Sequence, residues 1–286
     1  VLDHEPLARA AQSGPVLPLY IIEPEVIHAP DFDAMHWQFI SESLVDLQAS
    51  LGDQGLALQV LRGNAVDVFA KLHAREPIEG IWGHEETGNA ITYRRDLAVA
   101  DWTRKKGIAF EEFPLNGVVR GLKDRDGWAR FWERRMNRPI VEIPKRMAPA
   151  KGISAFAIPS AKELGLAGSD RELDLRGGED EAHRILESFN AGRGVRYHRE
   201  MSSPNTAYES CSRLSPYLAW GCLSTRTAVQ KIRAAAGNGI PKVAARSVLS
   251  RLHWHCHFMQ KLESEPEIEF HAFNRACDDL RPRKAD

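Results

Sequence analysis

The sequence is poor in the features that mark out the simplest function classes. Its four cysteines (Cys211, Cys222, Cys256 and Cys277) are scattered, with no Cys-x-x-Cys pair. That spacing argues against a structural zinc site and fits a reducing, cytoplasmic setting. No apolar run approaches the ~18 residues of a membrane span, so no membrane partner is expected. An excess of either charge is also lacking: 38 Lys and Arg face 39 Asp and Glu, a formal charge of −1. A chain so balanced contacts nucleic acid only through a local basic patch. Neither GxGxxG nor a Walker sequence occurs, which removes support for a nicotinamide or nucleotide-hydrolysing domain. Internal repeats and low-complexity tracts are absent as well.

What is present divides the 286 residues into two kinds of sequence. Two domains are the expectation at this length. The first half alternates strand-like and helix-like segments. Asp3 stands as an N-cap before a helix running to Ala11. Val16–Glu23 is a nearly continuous apolar run, as in a strand buried on both faces. Phe32–Leu51 carries apolar residues at helical spacing. Leu56–Leu61, Gly80–Gly83 and Ala109–Phe113 read as further strands, separated by helices over Ala65–His73 and Asn89–Lys106. This alternation predicts a doubly wound parallel sheet with right-handed crossovers. The order opens on a helix where such a domain opens on a strand, so a strand before Val1 is expected.

Arg120–Lys151 changes character, with ten basic residues against four acids and Trp128, Phe131 and Trp132 between them. Basic stretches with aromatics bind nucleic acid. A helix that packs its aromatics and leaves its charges in water gives the same pattern, and that reading is preferred here. Pro144, Pro149, Gly152 and Pro159 mark an extended linker reaching Gly177-Gly178. From Glu179 the pattern is helical: Glu181–Ala191, a polar loop over Gly192–Tyr208, Pro216–Ala219, Thr225–Ala236 and Lys242–Leu262. The domains expected are an α/β unit over 1–125, a linker over 126–178 and an all-α unit over 179–286, incomplete at its C-terminal end.

Three places carry candidate chemistry. His253, His255 and His257 alternate, and alternate residues on a helix point to different faces. They cannot share one metal, so none is assigned; Cys256 among them reads as a small buried residue. His84-Glu85-Glu86-Thr87-Gly88-Asn89 follows a strand, where parallel sheets bind ligands, and reads as a ligand or domain-contact loop. Glu209–Ser224 combines small hydroxyl and thiol side chains, an arginine between two serines, and Pro216 opening an apolar run. Such a turn cradles an anion at a helix start. A serine-capped helix start has the same spacing, and spacing alone leaves both open.

In its context this stretch resembles the photolyase/cryptochrome family. The family's Thr-Ser-Arg-Leu-Ser-Pro motif stands here as Cys211-Ser212-Arg213-Leu214-Ser215-Pro216, followed by Gly221-Cys222-Leu223-Ser224. Asp3-His4 with an alanine-rich helix and VLPLYI resembles the start of the family's antenna domain, just after its first strand. HEETGN with Tyr93-Arg94-Arg95-Asp96 is similar to another family segment. Leu252-His253-Trp254-His255-Cys256-His257-Phe258 is similar to its L-I-W-R-[DE]-F helix.

The resemblance implies an α/β antenna domain with a doubly wound parallel sheet, joined by a long linker to a helical FAD domain. It implies light-driven repair of pyrimidine dimers by a deoxyribodipyrimidine photolyase, with reduced FAD passing an electron to a dimer flipped out of DNA. A cryptochrome-like photoreceptor and an inactive fragment are the alternatives. Damaged DNA is the implied partner and the chain is expected to be a monomer. A second chromophore, of folate or deazaflavin type, is left unassigned.

Matched position by position, Tyr197, Cys211, Ser212, Arg213, Leu214, Ser215 and His255 are implied to hold FAD. Arg251 and Trp254 are implied to face the lesion, and no catalytic residue is assigned. Cys211 replaces the family's threonine, Arg251 a glutamate, His255 an arginine and Cys256 an acid. The flavin-ring pocket and the tryptophan electron chain have no counterpart before Asp286, so the chain resembles the first half to two-thirds of a family member.

Overall fold

The computed structural model describes residues 1–145, 147–150, 157–166, 174–278 and 280. Helix α1 (Glu5–Ser13) is followed by strand β1 (Leu19–Ile22), the short α2 (Pro24–Ile27) and the long α3 (Ala34–Gly52). Strand β2 (Gln59–Arg62), α4 (Ala65–Arg75), β3 (Gly80–His84), α5 (Ala90–Lys106) and β4 (Ala109–Phe113) complete the α/β half. The helix starts are set by side chains that take otherwise unpaired N–H groups. Asp33 accepts from Met35 and His36 while His36 Nδ1 accepts from Asp33 in return, a reciprocal cap on α3. Asn64 and Asn89 cap α4 and α5.

The start of α1 departs from the expectation. His4, not Asp3, is its cap, with Nδ1 accepting from the Leu7 N–H at 3.0 Å. Asp3 adopts a positive φ of 59° and turns its carboxylate toward the helical layer.

All strand pairing is parallel, as the alternation predicted. Leu19 lies opposite Gln59 in β1·β2, and Gly80 lies opposite Ala109 in β3·β4. These pairs are two separate two-stranded sheets, not one continuous ladder. Each strand therefore has a single hydrogen-bonded neighbour. That explains why only Ile22 of β1 is fully buried, against the strand buried on both faces expected over Val16–Glu23, and why β3 is half-buried along its length. Arg95 of α5 holds the two pairs at their C-terminal ends, donating to Glu23 after β1 at 2.6 Å and to Glu86 after β3 at 2.9 Å.

One core lies between β1, β2 and α3, with Trp37, Ile40, Leu44, Leu58 and Val60 buried. Trp37 Nε1 donates to the Pro159 carbonyl, and Leu164 enters the same core. The described linker residues around Pro159 and Leu164 are thus packed on α3.

The second core is helical. It is built by α6 (Trp128–Met136), α7 (Glu179–Ala191), α8 (Tyr197–Glu200), α9 (Ala207–Ser210), α10 (Ser215–Ala219), α11 (Thr225–Ala235) and α12 (Lys242–Ser264). Leu186, Phe189, Tyr217, Val229, Ile232 and Cys256 are fully enclosed. Burying such apolar side chains stabilises the layer by roughly 1.5–3 kcal/mol each. Helix α6 falls within the stretch expected as linker, yet its Trp128, Trp132 and Met136 belong to this core. Its aromatics are packed as preferred, apart from Phe131, which is exposed. The expected polar loop over 192–208 contains a 3-10 turn (Arg193–Arg196), α8 and the first residues of α9. Tyr197 drives that ordering, burying its ring against Phe189 at 5.6 Å.

Candidate cofactor and nucleic-acid site

The turn Cys211–Ser215 sits between α9 and α10 and is held from below. Arg193 donates to the carbonyls of Cys211, Ser212 and Ile185, which fixes the carbonyl side of the turn inward. Arg213 has a positive φ of 59°, and Leu214 follows at φ −86°, ψ −11°. A left-handed residue followed by a right-handed one aims successive N–H groups into one concavity, an anion-binding nest. The N–H groups of Ser212, Arg213, Leu214 and Ser215 have no acceptor among the described residues. Leu214 is 1% exposed and anchors the turn in the helical core. Its contribution to the site is its backbone.

The Arg213 guanidinium is already engaged. It donates twice to the Tyr208 carbonyl, at 2.8 and 2.6 Å, and stacks on the Tyr208 ring at 3.9 Å. Those contacts offset the cost of a left-handed arginine, about 1–2 kcal/mol. The polar groups left for a ligand are the hydroxyls of Ser212 and Ser215, the Cys211 thiol and the nest. Burial pushes the Cys211 thiol up, against the pull of Arg193 and Arg213, so it stays protonated at neutral pH.

Tyr197 and Arg251 lie in the same neighbourhood. Helix α12 packs on α8, and the Tyr197 hydroxyl is pushed up by burial and by Cys211, with Arg251 opposing. Burial also lowers the half-buried His255, so its ring is neutral. Trp254 is 51% exposed, with Phe258 beside it at 5.8 Å and the Arg251 guanidinium 6.0 Å from its ring. An exposed tryptophan beside a cation offers a flat stacking surface for a base. The structure therefore gathers Tyr197, Cys211 and Arg251, and puts Arg251, Trp254 and His255 on one side of α12.

The loop after β3 is a contact between the halves. Glu86 pairs with Arg95, its carbonyl accepts from Arg120, and Thr87 accepts from Asn116. Ala90 N–H reaches Glu269, beyond α12. Two participants were invisible in the sequence reading. Arg193 lay in a stretch read as polar loop, and Tyr208 was taken only as the end of that loop. An arginine followed by a glycine carries no local signal that it will chelate carbonyls 18 residues away.

The family model described as DNA photolyase matches residues 1–121. A bacterial class III photolyase from Agrobacterium tumefaciens superposes with a TM-score of 0.80 at 19% identity, covering 99% of this chain and 61% of its own. The chain is similar to photolyases and cryptochromes, with the family model covering its first 121 residues. Cryptochrome DASH of Arabidopsis thaliana is 23% identical over 288 residues, 90% of this chain and 49% of that protein. A deoxyribodipyrimidine photo-lyase from Halobacterium salinarum is 27% identical over 239 residues, 78% of this chain and 48% of that protein. The chain spans about half the length of the curated relatives it matches. The fold described above, an α/β half followed by a helical half, is thus shared with that solved photolyase.

FAD is the flavin of the photolyase/cryptochrome family, and the donor set here fits its diphosphate. Unpaired N–H groups in a nest and two serine hydroxyls donate to a phosphate, and the charge of the engaged Arg193 and Arg213 guanidinium groups nearby favours an anion there.

Proposed function

We propose that this chain supplies the phosphate-holding turn and one wall of the lesion cavity of a light-driven DNA photolyase. The observation that carries the reading is the nest at Arg213–Leu214, set in one neighbourhood with Tyr197 and the Arg251 turn of α12. The N–H groups of Ser212 to Ser215 and the hydroxyls of Ser212 and Ser215 bind the FAD diphosphate. Cys211 and Tyr197 line its flank, and His255 contributes a neutral ring. Bound FAD supplies the light-driven electron to the lesion. Trp254 stacks on a base drawn out of the duplex, where the donor can approach it, and Arg251 meets the DNA phosphates. The α/β half carries the antenna role.

The test supplies the protein with reduced FAD, blue light and DNA bearing a thymine dimer. Loss of dimers with each light dose is the expected result; unchanged dimer content overturns repair. A cryptochrome-type photoreceptor is the second reading, favoured by Arg251 in place of the family's glutamate. It is upheld if light alters conformation or partner affinity while dimers persist.

A further inference from the structure

The side of α12 turned away from Trp254 carries a feature that the photolyase reading does not use. Arg251, Trp254, His255 and Phe258 occupy one side of the helix; Lys242, Arg246, Leu249, Ser250 and His253 lie roughly opposite, at 100° per residue. That opposite side forms one wall of a concavity of about 460 Å³, closed by Trp132 of α6 and Arg233 of α11. Its floor is aromatic: His253 packs on Trp132 and on Trp128 with ring centroids 4.9 Å apart in each case. Its rim is cationic. Lys242 and Arg246 are exposed and have no ion pair among the described residues.

A second concavity of about 730 Å³ lies alongside on α6, lined by Arg130, Phe131, Arg134 and Asn137. Phe131 is 43% exposed, and the Arg134 guanidinium lies 4.5 Å from its ring. The ion pair Arg233–Glu133 at 2.8 Å forms the ridge between the two. Glu133 and Asp126 are the only acids among the lining residues, against five cations. On a molecule of formal charge −1 this is a concentrated positive patch.

We propose that these two adjoining hollows are a second nucleic-acid surface, one that binds undamaged single-stranded DNA. Each hollow pairs an aromatic surface with unneutralised cations. That is the repeat required by successive nucleotides, with bases stacked on rings and phosphates on Arg and Lys. A duplex hides its base faces and has no use for the Phe131 and His253 rings. An acidic peptide matches the charge and leaves the same rings unused. Two hollows in series favour a strand over a single nucleotide. The surface is independent of the flavin turn and of the Trp254 face, so its failure leaves the photolyase reading untouched.

The test is fluorescence anisotropy of a labelled, undamaged oligothymidylate with the 286-residue chain, in the dark, over a salt series. The double variant Lys242→Glu/Arg246→Glu is expected to lose about tenfold or more in affinity, with a shallower salt dependence. Phe131→Ala is expected to lose about tenfold with its salt slope unchanged, since it removes stacking and no charge. Lys71→Glu/Arg75→Glu on α4 makes the same change of net charge elsewhere and is expected to retain affinity within about twofold. All five side chains are exposed, and matching circular dichroism shows that each variant is folded. The proposal is overturned if the α12 pair binds as tightly as the parent, or if the α4 pair loses as much. It is equally overturned if polyglutamate displaces the oligonucleotide as well as unlabelled oligothymidylate does.

Discussion

Arg226 and Asp3, 223 residues apart in the chain, form a buried ion pair, with Arg226 Nε donating to Asp3 Oδ2 at 3.0 Å. The same carboxylate accepts from the Ser224 hydroxyl at 2.5 Å and from the Val141 N–H at 3.0 Å. The Arg226 side chain is 11% exposed and the Asp3 side chain 1%. One aspartate thus joins the start of the α/β half to the N-terminus of α11 and to the segment after α6. Removing it strands a buried guanidinium, which typically costs about 3–5 kcal/mol. Asp3→Ala is expected to lower the unfolding free energy by about that much in urea titration. Asp3→Ala/Arg226→Ala is expected to recover part of the loss, because the unpaired charge goes as well. A double variant no better than the single removes the ion pair as the cause.

Gly177 is where the linker meets α3. Its N–H donates to Glu42 at 2.8 Å, and a Cβ there would lie 2.1 Å from the Phe39 carbonyl oxygen and 2.5 Å from the Ser43 hydroxyl. A helix backbone atom cannot swing aside as a side chain can. Gly177→Ala is expected to cost about 1–3 kcal/mol, as for overpacking elsewhere. Gly52→Ala, which meets nothing within 4 Å, serves as the control and is expected to melt with the parent.

Arg213 acts through two separable parts, its left-handed backbone and its engaged guanidinium. Arg213→Gly relieves the left-handed cost of about 1–2 kcal/mol that the arginine bears, whereas Arg213→Ala keeps that cost and loses the contacts that offset it. Both lose the Tyr208 contacts. FAD retention is expected to fall with Arg213→Ala and to be largely restored with Arg213→Gly, read from the flavin absorbance of purified protein. Equal flavin loss in both variants assigns the effect to the guanidinium instead.

The elements were largely legible in the sequence because their signals are local. Asn89 before α5, the apolar spacing of α3 and the long face of α12 each write themselves into a few consecutive residues. The phosphate turn was legible only as a motif, with its spacing equally suited to a capped helix. What decided the matter is not local: Arg193 fixing the turn's carbonyls, and a positive φ at an arginine. The role of Asp3 was hidden for the same reason. An aspartate before a helix reads as a cap, and no local pattern announces a partner at Arg226. The split of the sheet escaped the reading because alternation reports strand order and direction, not which ladders close.

Acid is expected to destabilise the fold before the carboxylates titrate. His4 and His84 pack ring against ring at 4.7 Å; His4 is exposed, so water screens much of the lowering that its surroundings impose on it. Burial also lowers His84, His183 and His255. Groups with depressed folded-state pKa values bind fewer protons when folded, so stability rises with pH in that window and falls as pH drops below their unfolded value, about 6.5. Desolvation shifts Glu23, Glu85 and Asp96 upward and gives the opposite slope, but that slope begins nearer the carboxylate range. The melting temperature is expected to fall between about pH 7.5 and about pH 5.5, and less so in His84→Gln. A flat profile over that interval contradicts the assignment.

Trp254 separates binding from folding. It is 51% exposed, and its ring neighbours Phe258 and His257 lie on its own helix. Little core is disturbed by its removal, so Trp254→Ala is expected to change the unfolding free energy by no more than about 0.5 kcal/mol. Loss of a base-stacking ring typically costs about 1–3 kcal/mol in binding, roughly a tenfold to hundredfold weakening. In the FAD-loaded protein that weakening is expected for dimer-bearing DNA, while oligothymidylate binding at the α6–α12 hollows stays as in the parent. Leu252→Ala, two residues earlier and 5% exposed, is expected to do the reverse, costing about 2–5 kcal/mol of stability through its cavity. A Trp254→Ala protein that unfolds like Leu252→Ala makes the tryptophan a packing residue and removes it from the DNA-facing wall.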